Sequence, residues 1–230
     1  MGPLPVTGPG GEDHRFTGRR RALIEAIRAA GVDDLEILEL FDRIPRHRFL
    51  PEALWPRAYE DVALPIGHGQ TASQPSLQAR MLQVLRPGPR DRVLEVGTGC
   101  GFLTALLADS AERVHSVERD AELSRRARAA LDGQGVANAA LMVGDGTIGW
   151  RKFAPFQVIV VSAAAPDVPA PLVEQLADGG RLLMPVGSRE GQELVLVRRE
   201  GFAVTRETLG PVVFVPLVGK FGIRENGVEA

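Results

Sequence analysis

Cysteine, tyrosine and lysine are nearly absent from this chain of 230 residues. Cys100 is the single cysteine, so no intrachain disulfide can form and no thiolate metal cluster can be assembled. The single tyrosine, Tyr59, and the only lysines, Lys152 and Lys220, leave no Tyr-Lys pair for nicotinamide-dependent hydride transfer. Four histidines lie scattered without metal-ligand spacing, and no metal is expected. A signal-peptide apolar region and an apolar run of membrane-spanning length are both missing, so a cytoplasmic location with no membrane partner is the expectation. No sign of charge dominates: 27 Lys and Arg face 29 Asp and Glu, a formal net charge of −2. The short basic runs at 19–21 and 125–126 read as solvated helix faces, so no nucleic-acid partner is expected.

What is present is an alternation of strand and helix patterns. Residues 92–96 (RVLEV) form a short apolar run bounded by a Pro/Gly turn at 87–89 and by glycines, the pattern of a central parallel strand. Gly97, Gly99 and Gly101 let the backbone turn sharply and lie close to a ligand, and 102–108 (FLTALLA) has the apolar spacing of a helix leaving that turn. Further strands are predicted at 113–117, 140–143 and 157–161. With 44% hydrophobic residues, the chain can bury one substantial core, and the alternation predicts an α/β fold with a doubly wound, mostly parallel sheet.

Three carboxylates fall at informative places. Glu118 ends the second strand about twenty residues past the first glycine, where an acid can accept hydrogen bonds from both ribose hydroxyls. Asp145, between Gly144 and Gly146, ends the third strand where an adenine amino group could be read, although Asp-Gly also serves simply as a turn. Glu95 lies inside the first strand, near enough to orient loop amides. A dinucleotide fold asks for GxGxxG, with the third glycine at the position held here by Phe102. The GxGxG spacing, the ribose acid and the later Asp-Gly instead resemble the Rossmann-like class I S-adenosylmethionine methyltransferases.

The ends differ from this middle. Residues 1–15 are rich in Gly and Pro and read as a disordered lead. Residues 20–30 and 34–41 carry helical periodicity, an N-terminal helical elaboration, and 44–51 reads as a turn followed by an extended stretch. Residues 64–75 (LPIGHGQTASQP) read as a polar loop able to hold a substrate against the cofactor. Residues 193–197 and 203–209 look like a C-terminal antiparallel strand pair around Glu200-Gly201. One domain over 16–230 is expected: a helical and substrate-loop part at 16–86, a cofactor core at 87–188, and C-terminal strands with a substrate wall at 189–230.

Over residues 19–222 the chain resembles the protein-L-isoaspartate O-methyltransferases. The blocks PRHRFLPE, AYEDVALPIGHGQTASQP, VLEVGTGCGF, VERD, VGDGTIGW, APFQVIVVSAAAP, LADGGRLLMPVG and GPVVFVPLVGKFG carry that resemblance, and GQTASQP is the diagnostic one. Departures are Ala72 for a larger aliphatic, Phe102 for tyrosine and Ser162 for threonine. The resemblance implies methyl transfer from S-adenosylmethionine to the free carboxylate of isoaspartyl residues in damaged proteins and peptides; a monomer is expected. It implies Ser73 as the active-site residue, and cofactor contacts from Gln70, Thr71, Ala72, Glu95, Gly97, Thr98, Gly99, Gly101, Glu118, Arg119, Gly144, Asp145 and Gly146. It further implies that Phe214 and Val215, within a 214–217 wall, offer backbone groups to an extended peptide. His68 is a candidate substrate contact from its own place in the loop.

The chemistry itself asks little of the side chains. A carboxylate with an ordinary pKa of about 3.9 is already ionised near neutrality, so no general base is needed for displacement at a sulfonium carbon. Alignment and replacement of the carboxylate's water shell remain. Ser73 can donate to that carboxylate; equally, Ser73 or Thr71 can cap the helix that starts near Pro75. His68, between two glycines, can be a ligand or a packing residue, and His47 reads as structural. An enzyme acting on nucleic-acid amines would end its fourth strand with Asn/Asp-Pro-Pro-aromatic, where this chain has SAAAP. A carboxyl methyltransferase dedicated to one peptide stays open, as does a non-catalytic S-adenosylmethionine-binding module, which would be expected to have lost Ser73 or a loop glycine.

Overall fold

The computed structural model describes residues 14–188 and 190–224. The lead expected over 1–15 lies outside the described residues apart from its last two. Helix α1 (Thr17–Ala29) turns Leu23 and Ile27 inward. Helix α2 (Leu35–Arg43) begins at Asp34, whose carboxylate accepts the backbone N–H of Glu36 and Ile37 and so satisfies the first turn. Its buried face, Ile37, Leu38, Leu40 and Phe41, follows helical spacing.

The stretch expected to be extended at 44–51 is instead a 3₁₀ turn over Arg46–Phe49, closed by Arg48 N–H to the Pro45 carbonyl at 2.9 Å. Arg46, His47 and Phe49 all point into the core, and the tight turn is what aims three near-consecutive side chains the same way. His47 is structural as read: its Nδ1 lies 2.8 Å from the Tyr59 hydroxyl. A second 3₁₀ turn follows at Glu52–Arg57.

The segment 64–75, read as a loop, is more ordered than that. It forms an antiparallel hairpin of β1 (Leu64–Gly67) and β2 (Gln70–Ala72), with Leu64 opposite Ala72. Leu64 and Ile66 alternate inward while Pro65 and Gly67 stay exposed, a two-residue period too short to stand out in the sequence. Helix α3 (Pro75–Leu85) follows, with proline in its first turn.

The remaining elements are β3 (Arg92–Val96), α4 (Phe102–Ser110), β4 (Arg113–Glu118), α5 (Ala121–Gly133), β5 (Ala139–Val143), β6 (Phe156–Val161), α6 (Ala170–Glu174), β7 (Leu176–Ser188), β8 (Gly191–Glu200) and β9 (Ala203–Val212). Among the described residues they form a seven-stranded sheet in the order β5-β4-β3-β6-β7-β8-β9. The pairs from β5 to β7 are parallel, and β8 and β9 add antiparallel strands at one edge. This is the expected doubly wound sheet with its antiparallel strand pair.

Strand β3 sits between β4 and β6, so successive crossovers leave it in opposite directions. That switch point opens a crevice beyond its carboxyl end. Residues 93–96 of β3 are buried, as a parallel strand covered on both faces must be.

Candidate active site

The glycine loop leaves β3 at that switch point. Gly97 and Gly101 adopt φ of 95° and 86°, a region that side chains with a Cβ disfavour. A Cβ on Gly101 would stand 3.2 Å from the Ala127 Cβ of α5, so this glycine provides the close packing that GxGxxG assigns one residue later. Glu118, at the end of β4 and 5% exposed, accepts the Gly99 N–H at 2.9 Å through Oε2 and the Asp120 N–H at 3.0 Å through Oε1. The acid expected at the ribose thus holds the loop.

Beneath the loop runs a buried chain of hydrogen bonds. Thr98 Oγ1 lies 2.5 Å from Ser116 Oγ, which donates to Glu95 Oε2 at 2.7 Å, and Thr104 donates to the same oxygen at 2.5 Å. Glu95 is fully buried, and that burial pushes its carboxyl pKa up to about 8 against the opposing pull of the Thr104 and Ser116 hydrogen bonds. Glu95 was expected among the cofactor contacts. It instead supports Thr98 from below and does not line the cleft.

The cleft holds about 740 Å³ of space between its walls, part of it open to solvent. The hairpin supplies one wall with Gln70, Thr71, Ala72 and Ser73, and the loop and strand ends supply the other with Gly97, Thr98, Gly99, Glu118, Arg119 and Gly146. Among the wall residues that were missed are Gln78, Cys100, Ser162 and Val218. Gln78 is 6% exposed, and its Oε1 has no hydrogen-bond partner among the described residues. A buried acceptor facing a cavity is complete only when a ligand or water donates to it. Its sequence signal was an amide on the helix that directly follows GQTASQP.

Several expected contacts lie elsewhere. Gly101 packs on α5, and Gly144 and Asp145 are not in the cleft wall. Asp145 Oδ1 accepts from the Thr147 N–H at 2.8 Å and its hydroxyl at 2.6 Å, while Oδ2 accepts the Lys220 N–H at 2.8 Å. Expected at an adenine, this carboxylate fastens the returning C-terminal stretch, because that stretch brings N–H groups that sequence distance conceals. His68 was expected beside the substrate. Its Nδ1 pairs at 2.8 Å with Asp120 Oδ2 at the start of α5, and Arg126 holds the Ile66 carbonyl at 3.1 Å, so both clasp the hairpin down over the loop.

A second groove adjoins the cleft. Thr71, Ser73, Ser162 and Val215 line both, and the groove continues along Leu77 and Arg80 of α3 and residues 211–214. Phe214 and Val215 therefore stand on the expected wall. The Phe214 N–H and carbonyl, however, are already bonded to the Gln192 side-chain amide at 2.7 and 3.0 Å, so they are not offered to a peptide as expected. Ser73 does not cap α3. The N-cap position is Gln74, with no side-chain cap of its own, and Asp61 supplies the acceptor for the Ser76 N–H at 2.8 Å.

The family described as Protein-L-isoaspartate(D-aspartate) O-methyltransferase (PCMT) matches residues 18–222. A protein-L-isoaspartate O-methyltransferase of Syntrophus aciditrophicus is 49% identical over 212 residues, covering 90% of this chain and 97% of that one. One from Methanoculleus marisnigri is 51% identical, covering 88% and 93%. A solved protein-L-isoaspartate O-methyltransferase superposes with a TM-score of 0.78 at 28% identity over 87% of this chain, which spans 66% of that structure's length. A Plasmodium falciparum structure described as a complex with S-adenosyl-L-homocysteine superposes with a TM-score of 0.75 over 86% of this chain and 98% of that one; at 24% identity it shows the fold alone. With its matched length, the sheet order and the cleft at the switch point, the chain belongs to the protein-L-isoaspartate(D-aspartate) O-methyltransferase family.

Proposed function

We propose that this protein methylates the free carboxylate of L-isoaspartyl residues in damaged proteins and peptides, using S-adenosylmethionine, and so starts repair through a succinimide. The observation that carries the reading is the shared wall: Ser73 stands where the cofactor cleft and the peptide-sized groove meet. The residues present fit the donor. Glu118 borders the cleft as the acceptor for ribose hydroxyls, Gly97 and Gly99 line it for the methionine portion, and the Gln78 Oε1 awaits an N–H. Bound there, S-adenosylmethionine supplies an activated methyl on a sulfonium centre.

The chain's own residues provide alignment. The Ser73 hydroxyl donates to one carboxylate oxygen and turns the other toward the cofactor cleft, while the clasped hairpin keeps water from the gap. Orientation of this kind is worth up to roughly 7–11 kcal/mol in well-aligned systems. The three-part division at 16–86, 87–188 and 189–230 follows the same logic, with the groove assembled from the first and third parts around the second. No helix among the described residues is long and apolar enough to cross a membrane. The reading takes the protein as a cytoplasmic monomer with no nucleic-acid partner, on the near-neutral charge balance.

The test is a pair of matched peptides, one with isoaspartate and one with normal aspartate, incubated with methyl-labelled S-adenosylmethionine. Label in the isoaspartyl peptide alone is expected. Equal label in both, or none in either, would overturn the reading.

A further inference from the structure

We propose that Arg46 is a positioning residue that joins the substrate side of the site to the cofactor side by holding the Ser73 main chain against the glycine loop; this rests on the role given to Ser73 above. Arg46 is 1% exposed and belongs to the PRHRFLPE block. Its Nη1 donates to the Ala58 carbonyl at 2.7 Å and its Nη2 to the Ser73 carbonyl at 3.1 Å. The guanidinium carbon stands 5.8 Å from the ring centroid of Phe102, the residue that follows Gly101 and opens α4. One planar cation therefore touches the residue expected to hold the carboxylate and the first residue beyond the donor's cradle.

Scaffolding alone does not account for this choice. Burying a cation is costly, and burial pulls the Arg46 pKa down from its ordinary value to about 10, still charged at neutrality. Its Nε has no hydrogen-bond partner among the described residues, so the group is not fully compensated. An apolar side chain would avoid the cost of the charge but would leave the Ala58 and Ser73 carbonyls without this donor. What a rigid fork adds is fixed geometry: its donors lie in one plane, so the Ser73 carbonyl, and with it the orientation of that residue, is set relative to the Phe102 ring. Methyl transfer is sensitive to this, since a misplacement of about 1 Å can cost around a hundredfold in rate.

The test is a double-mutant cycle. Arg46→Lys keeps the charge but loses the planar fork, and it is made in both the unaltered and the Ser73→Ala proteins. Turnover is measured on an isoaspartyl peptide, and S-adenosylmethionine affinity by calorimetry. With Ser73 present, Arg46→Lys is expected to lower kcat by roughly tenfold to a hundredfold with cofactor affinity nearly unchanged. In Ser73→Ala the same substitution is expected to cost less than about threefold, because the group it positions is already gone.

Equal losses in the two backgrounds, or affinity falling in step with turnover, would make Arg46 scaffold and overturn the proposal. Full activity in Ser73→Ala alone would overturn the Ser73 role and this proposal with it. Should the Arg46 variants not fold, the unaltered protein decides by NMR in its S-adenosylhomocysteine complex. The Arg46 guanidinium resonances should shift with the isoaspartyl peptide and stay fixed with the aspartyl one; the same response to both overturns the proposal.

Discussion

Asp61 caps helix α3 for Ser76: its Oδ1 accepts the Ser76 N–H at 2.8 Å across fifteen residues of chain, while Oδ2 accepts from the Gln74 side chain at 2.9 Å. The helix end is thus satisfied from outside, and the Ser73 hydroxyl is not used for that purpose. Asp61→Ala should therefore cost about 1 kcal/mol of stability, the usual worth of a cap. Denaturant midpoints measure it, and an unchanged midpoint would show that the cap is dispensable.

Ser73→Ala is expected to behave in the opposite way. Methyl transfer should fall while melting temperature and S-adenosylmethionine affinity stay near their starting values, since only the transition state loses a contact. Ser73→Thr keeps the hydroxyl but adds a methyl group at the shared wall, and should be folded but impaired. Single-turnover assays of both variants decide the point; an Ala variant as fast as the parent removes Ser73 from the chemistry.

Glu118→Ala tests the cofactor side. The variant loses the carboxylate proposed to accept ribose hydroxyls and also frees the Gly99 N–H that this group holds at 2.9 Å. Hydrogen bonds to charged groups are typically worth roughly 1.5–3 kcal/mol, so cofactor affinity should weaken about tenfold or more. Calorimetry that finds the same affinity would exclude Glu118 from the site.

Glu95 gives the protein a pH signature. Its folded pKa of about 8 lies above the ordinary carboxyl value of 4.5, so between those values the folded state holds a proton that the unfolded state has released. Stability from this group must then decline as pH rises through that window, by on the order of 1.4 kcal/mol per pH unit at most. Glu95→Gln removes the proton exchange, and its denaturation midpoint should vary less between pH 5 and pH 8 than the parent's. Parallel pH profiles for the two proteins would count against the raised pKa.

Gly101→Ala should be the most damaging single methyl in the loop. The position combines φ of 86° with a Cβ 3.2 Å from Ala127, and left-handed backbone alone costs roughly 1–2 kcal/mol for a residue with a side chain. Loss of cofactor binding together with a lower melting temperature is expected. A variant that melts and binds like the parent would mean that α5 yields easily at this contact.

Local chemistry made much of this legible in the one-dimensional chain. The apolar run at 92–96, the glycines after it and Glu118 at the next strand's end obey short-range rules of period, turn and spacing, and Val96, Gly97, Gly99 and Glu118 line one cleft. GQTASQP marked the facing wall for the same reason, since its meaning is carried within a few consecutive residues.

What the sequence could not reveal is who meets whom across long separations. Asp145 was expected to face a ligand and instead holds Lys220, seventy-five residues away; His68 was expected to face the substrate and instead pairs with Asp120. Arg46 and Gln78 were not read as site residues because a guanidinium or an amide gains its meaning from the carbonyls, rings and cavities brought beside it. The sequence by itself determined the alternating sheet, the glycine cradle and the methyl-transfer family, all written in local pattern. Only the tertiary structure decided which polar groups are consumed by the protein's own backbone and which, like Ser73, stay at the meeting of two clefts, because hydrogen-bond partners are assigned by packing and not by distance along the chain.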